Sequence, residues 1–206
     1  IVSKAEDRFE RPAETKPTSQ ALELAEVTGK DPGLVQLILD ESREVLRARE
    51  GVLIVETSHG FVCANAGIDS SNVPGDTRVL LLPTDPDDSA RRLRADLQKR
   101  TGTCLAIVIT DSFGRAWRSG QVDVAIGCAG IATLSDLRGG HDRDGHELTA
   151  SIQAVADELA AAADLARSKA SGEPVVLVRG RADLVSEADG AGAGAAIRAR
   201  QEDLFR

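Results

Sequence analysis

Aromatic side chains are nearly missing from these 206 residues: there is no tyrosine, a single tryptophan and four phenylalanines. A core must therefore be built from Val, Leu, Ile and Ala, and the 42% hydrophobic content is enough for one sizeable core. Basic residues are outnumbered, 25 against 33 acidic, for a formal net charge of −8. That balance speaks against nucleic acid as a partner, which needs a basic surface. An acidic protein can still hold polyphosphate where metal ions and a few local Arg or Lys side chains mediate. No apolar run reaches the roughly 18 residues of a membrane-spanning helix, so no membrane partner is expected.

Cysteines number only three, Cys63, Cys104 and Cys128, far apart and without a CxxC pair. Zinc-site spacing is therefore absent. An odd count with no disulfide pattern predicts a reducing, cytoplasmic setting and buried structural thiols. Also missing are a P-loop, a GxGxxG fingerprint, an HExxH pair and a GxSxG elbow, which disfavours nucleotide-binding folds of the Rossmann or P-loop type and ordinary hydrolase chemistry. The remaining expectation is α+β, mixed sheets with packed helices.

The chain opens on IVSKAEDR, which reads as the end of a strand entering a polar turn and predicts a segment upstream. Residues 1–17 read as a loop. Thr18 or Ser19 caps a short helix that Gly29 ends. Asp31-Pro32 starts a second helix running to Gly51, with Leu34, Leu37, Ile38, Glu41, Val45 and Leu46 on one face at helical spacing. Strands are expected at 52–57, 78–83, 104–110, 122–131 and 174–180, the last one buried. A helix over 85–100 carries aspartates in its first turn and basic residues at its end, as its dipole favours. Residues 113–121 read as a polar loop and 132–146 as turns. The Ala-rich 147–170 stretch reads as the longest helix. The run GAGAGAA (190–196) predicts a mobile, low-complexity tail.

The stretch HGFVCANAGIDSSN (59–72) stands apart. It follows a strand and packs small residues, which allow close approach, beside Asp69 and Asn72, which offer hard oxygen atoms. Asp111 follows CLAIVIT in the same way. If the strand ends converge, the two carboxylates with Ser112 can hold one or two divalent ions that clamp a phosphoryl group. The alternative is that each aspartate simply starts a turn. Arg115 and Arg118 can fork onto phosphate or carboxylate oxygens, or lie solvated on the surface. Trp117 can stack on a flat ring or anchor its loop. Asp123, flanked by strand residues, needs a partner. Lys4 can meet a phosphate as a point charge. His59, at a turn before Gly60, is either structural or in contact with substrate.

Taken together, IVSKAE, ETSHGFVCANAGIDSSNVPG, ITDSFGRAWRSGQVDVAIGCAGI, AVADELAAAADLARSKA, PVVLVRG and the closing EDLFR resemble the coenzyme F420-0:L-glutamate ligase family, in the same order and across nearly the whole chain. The resemblance implies a GDP-forming ligase of coenzyme F420 biosynthesis that joins L-glutamate to F420-0 through γ-linked amides. It implies GTP as co-substrate, Mg2+ or Mn2+, and K+ as a further candidate cation. It implies a single 1–206 domain lacking its N-terminal segment, folded as an intertwined homodimer. By motif, Asp69 and Asp111 are catalytic and bind one metal, and Ser112 binds a second. Lys4, Asn72 and the run Arg167, Ser168, Lys169, Ala170 become GTP contacts; His59, Arg115 and Arg118 become substrate contacts. Lys169 departs from the pattern, because the family often places a metal-binding glutamine there. A protonated lysine is a poor ligand, though its ammonium can meet phosphate. The rival readings are a metal-dependent phosphatase or nucleotidase, and a non-catalytic deazaflavin-binding module.

Overall fold

A computed structural model describes residues 2–3, 6–71, 73, 75, 77–167 and 170–203. In chain order its strands and helices are β1 (Val2–Ser3), β2 (Phe9–Glu10), α1 (Ser19–Thr28), α2 (Pro32–Asp40), β3 (Ser42–Arg49), β4 (Val52–Thr57), β5 (Val62–Ala64), β6 (Val79–Leu80), α3 (Pro86–Thr101), β7 (Ile107–Arg115), β8 (Arg118–Ala129), β9 (Ser135–Asp136), β10 (Ile152–Gln153) and α4 (Val155–Leu165). The fold is mixed α+β with several small sheets. It divides into two compact units.

The amino-terminal unit comprises Glu6–Thr84 and Ser112–Val122. Local signals start its helices. The Thr18 hydroxyl accepts the Ala21 N–H at 3.3 Å, and the Asp31 carboxylate accepts that of Leu34 at 2.9 Å. Gly29, at φ 69°, closes α1 in the left-handed region. The second helix is shorter than its periodicity predicts. It stops at Asp40, and residues 42–49 form β3, antiparallel to β4. Val45 opposite Val55 and Ala48 opposite Leu53 gain a cross-strand partner that a continued helix would forgo. β5 completes this three-stranded sheet. Of the expected 78–83 strand only Val79–Leu80 pairs, with β2. The core is aliphatic, as the composition requires: Ala21, Val35, Ile38, Leu53, Val55, Ala66, Ile68 and Leu81 lie buried together.

The carboxy-terminal unit comprises Ile1–Ala5, Asp85–Asp111 and Asp123–Arg206. Asp85 caps α3 through the Asp88 N–H, and Gly102, at φ 67°, ends it. β7 pairs with β1 in parallel and forms a sheet ordered β1-β7-β8. Here the expected loop over 113–121 is overturned. β7 runs on to Arg115 and β8 begins at Arg118, so those residues are the tip of a long hairpin. Asp111 therefore sits within a strand, not at its end. The N–H groups of Ala125 and Cys128 on β8 are taken by carboxylates in the first turns of helices, Asp157 of α4 and Asp87 of α3, at 2.9 and 2.8 Å.

Three further expectations fail in this unit. The longest helix is α3, with 16 residues, while α4 spans only Val155–Leu165, because His141 bridges to Glu147 and Ile152–Gln153 pairs with β9. Among the described residues the apolar 174–180 stretch forms no strand: only Val175 is in a bridge, and Val175 and Leu177 are exposed; apolar content without a continuous ladder does not make a strand. The 190–196 run is packed rather than mobile. Ala193 is buried, its N–H meets Asp87 Oδ1 at 2.7 Å, and the Thr133 hydroxyl donates to the Gly192 carbonyl at 2.6 Å. A Cβ at Gly192 would lie 2.2 Å from an Asp87 oxygen, so only glycine admits this approach. Buried Arg94 pins the same tail, donating to Asp189 Oδ1 and to the carbonyls of Ser186 and Glu187, and also to that of Leu105. Cys63 and Cys128 are buried as expected, whereas Cys104 is exposed. Burial pushes the Cys128 thiol up to about 12, which leaves it inert.

Candidate active site

Asp69 is delivered by a strained turn. After β5, Asn65, Ala66 and Gly67 take φ values of 52°, 53° and 68°, three left-handed residues in a row. Two of them carry a Cβ, which costs roughly 1–2 kcal/mol each in that region. Ala66 is sealed in the core, and a Cβ on Gly67 would meet the Leu82 side chain at 2.9 Å. Asn65 Oδ1 is buried without a hydrogen-bond partner among the described residues. Two residues on, Asp69 and Leu80 exchange both backbone hydrogen bonds at 2.9 Å. The half-buried Asp69 side chain thus leaves a backbone held on both sides.

Beyond Leu80 the chain leaves its ladder, and side chains take over. The Leu81 N–H donates to the Arg8 carbonyl at 3.0 Å, and the Arg8 guanidinium donates to the Leu82 carbonyl. That guanidinium forks onto Glu41 at 3.0 and 2.8 Å, which is the main reason its pKa is raised. His59 Nε2 faces the carbonyls of Pro83 at 2.8 Å and Thr84 at 3.2 Å. The imidazole stacks on Phe61 at 5.7 Å, and Phe61 meets Phe113 edge-on at 5.9 Å. Asn65 belongs to the small and polar 59–72 stretch that the sequence marks, whereas the sequence assigns neither Arg8 nor Glu41 a functional role. For the Arg8–Glu41 pair, 33 residues apart, there is no local signal.

The hairpin tip carries Ser112, half-buried, and then Arg115 and Arg118, both exposed. Arg115 donates to the Ser119 carbonyl at 3.3 Å. Trp117, at φ 63°, is 86% exposed and does not anchor the tip by burial.

In the carboxy-terminal unit Asp111 is buried within β7. The partner that Asp123 needed is Arg167, whose Nη2 donates to it, joined by the Thr110 hydroxyl at 2.8 Å. Arg167, read from sequence as a GTP contact, therefore has one amino group engaged inside the fold. Ala170 is exposed. Lys4, Asn72, Ser168 and Lys169 lie outside the described residues.

Among the described residues no group of three or more His, Cys, Asp or Glu is placed to hold a metal ion. Mg2+ is commonly bound through one or two carboxylates, with phosphate and water oxygens completing its shell. Asp69, Asp111 and Ser112 are oxygen donors of that kind.

Residues 1–180 match the model of the F420-0:gamma-glutamyl ligase family. The chain belongs to this family. It is 47% identical over 207 residues to the coenzyme F420:L-glutamate ligase of Methanothermobacter thermautotrophicus, covering 100% of this chain and 81% of that protein. It is 44% identical over 191 residues to the protein of the same name from Methanocaldococcus jannaschii, covering 92% and 75%. Against that of Methanopyrus kandleri it is 43% identical over 208 residues, covering 100% and 82%. This gamma-glutamyl ligase family member has, among its described residues, no helix long and apolar enough to cross a membrane.

Proposed function

We propose that the protein ligates L-glutamate to F420-0 through a γ-linked amide in coenzyme F420 biosynthesis, consuming GTP. The observation that carries this is the family match, which spans most of the chain and includes the Asp69 and Asp111 stretches. Cytoplasmic location and a homodimer belong to the same proposal.

In the proposed reaction the γ-phosphoryl group of GTP passes to a carboxylate oxygen of F420-0, giving an acyl phosphate and GDP. The glutamate amine then attacks the acyl carbon, loses a proton, and phosphate leaves with the bridging oxygen. Bound Mg2+ or Mn2+ would supply charge neutralisation at the phosphates. Asp69, held by two backbone hydrogen bonds, Asp111, within β7, and Ser112 would each offer an oxygen to such cations. Arg115 and Arg118, exposed on the hairpin tip, would meet anionic groups of the substrates. The chain offers positioning rather than a covalent nucleophile.

The test is a mass-resolved assay with F420-0, L-glutamate, GTP and Mg2+ or Mn2+, with each omitted in turn. A product heavier by glutamate units that needs every component is expected. Phosphate release from GTP alone would instead indicate a phosphatase, and F420-0 binding without product a deazaflavin-binding module. Asp69→Asn and Asp111→Asn should each abolish product while the fold remains; wild-type turnover from either would remove that residue from the metal site.

A further inference from the structure

We propose that His59 is a positioning residue that holds Asp69 in place through the segment Leu80–Thr84. The inference rests on the ligase reading for what Asp69 does, but not for the geometry.

The segment needs holding. Residues 81–84 belong to no strand, and Pro83 has no N–H to offer. Among the described residues, side chains reach three of its carbonyls. Arg8 takes that of Leu82, and His59 takes those of Pro83 and Thr84. Carbonyl oxygens only accept, so His59 Nε2 carries the proton. The other ring nitrogen, Nδ1, is buried with no hydrogen-bond partner among the described residues. A phenyl ring would fill the same space without burying an unpaired nitrogen. What the imidazole adds is therefore the Nε2–H, and that group is aimed at the segment.

Two contacts pass the segment's position to Asp69. Leu80, its first residue, shares two 2.9 Å backbone hydrogen bonds with Asp69. Leu82 packs where a Cβ of Gly67 would stand, so a shift of Leu82 disturbs the left-handed turn two residues before Asp69. Side chains that orient a ligating residue from behind commonly change metal affinity about 10- to 100-fold when removed.

The experiment uses His59→Phe, which keeps the ring and deletes the donor, and His59→Gln, whose amide can donate from a similar distance. Two quantities are read for each: amide hydrogen exchange at Asp69, Leu80 and Leu81 in the free protein, and Mn2+ affinity with GTP present. His59→Phe should speed exchange at all three amides about tenfold and weaken Mn2+ by about tenfold or more. His59→Gln should recover most of both. Wild-type exchange and Mn2+ affinity in His59→Phe, with KM raised for F420-0 or glutamate alone, would overturn the proposal and make His59 a substrate contact. Equal damage from both variants would also overturn it, since the donor would then not be what matters. If the wild-type protein makes no ligation product, the ligase reading falls, while the exchange data still decide whether His59 holds the segment.

Discussion

Asp123 and Arg167 meet inside the carboxy-terminal unit with their side chains 2% and 10% exposed, a carboxylate on β8 against a guanidinium just beyond α4. Removing one partner of a buried pair leaves an uncompensated charge. Arg167→Met should therefore lower stability by about 3–5 kcal/mol in a denaturant titration. Adding Asp123→Asn to that variant should restore a large part of the loss. A double variant no better than Arg167→Met would show that the pair is not what the single change breaks.

The pH dependence of stability should carry a signature of Asp157. Burial, the largest influence, raises its pKa above the ordinary 3.8, opposed by the Ala125 N–H. The folded state therefore binds this proton more tightly than the unfolded chain. The group's contribution is fully present below the unfolded pKa and is lost as pH rises through the folded one. Asp157→Asn keeps an oxygen for the Ala125 N–H and removes the titration. The variant should match or exceed wild-type stability above that window, with a flatter profile through it, as thermal melts across mildly acidic pH would read.

Arg94 is the clasp of the carboxy-terminal tail. Arg94→Ala should cost about 2–4 kcal/mol, because a buried guanidinium and its hydrogen bonds are lost together. Limited proteolysis should then cut between residues 181 and 203 before the rest of the chain. Arg94→Lys should rescue only partly, since one ammonium cannot reproduce a planar fork reaching Asp189, Ser186 and Leu105.

Gly67 tolerates no side chain on two grounds: φ is 68°, and a Cβ would lie 2.9 Å from Leu82. Gly67→Ala should destabilise the fold by about 1–3 kcal/mol. Combining it with Leu82→Val, which vacates part of the space, should recover the steric share and leave the backbone share. Melting temperatures of the three variants separate the two.

The residues of this chain determined its local punctuation. Thr18, Asp31 and Asp85 cap helices, and Gly29 and Gly102 end them, because each such bond spans four residues or fewer. The aliphatic core followed from the near absence of aromatics, and the order of motifs was enough to point to the ligase family. Only the tertiary structure decided that residues 42–49 are a strand. Their apolar spacing fits either state, and the partner that settles it is β4. The same holds for the 113–121 tip, whose polar residues extend the β7–β8 ladder, and for the exposed 174–180 stretch. It alone pinned the 190–196 run, through Asp87, and Asp189 through Arg94, each roughly a hundred residues away in sequence. At the candidate site, sequence marked Asp69 and left its support unseen. Arg8, Glu41 and His59 act on backbone carbonyls or on each other across 24 to 74 residues, and nothing in local spacing encodes such a contact.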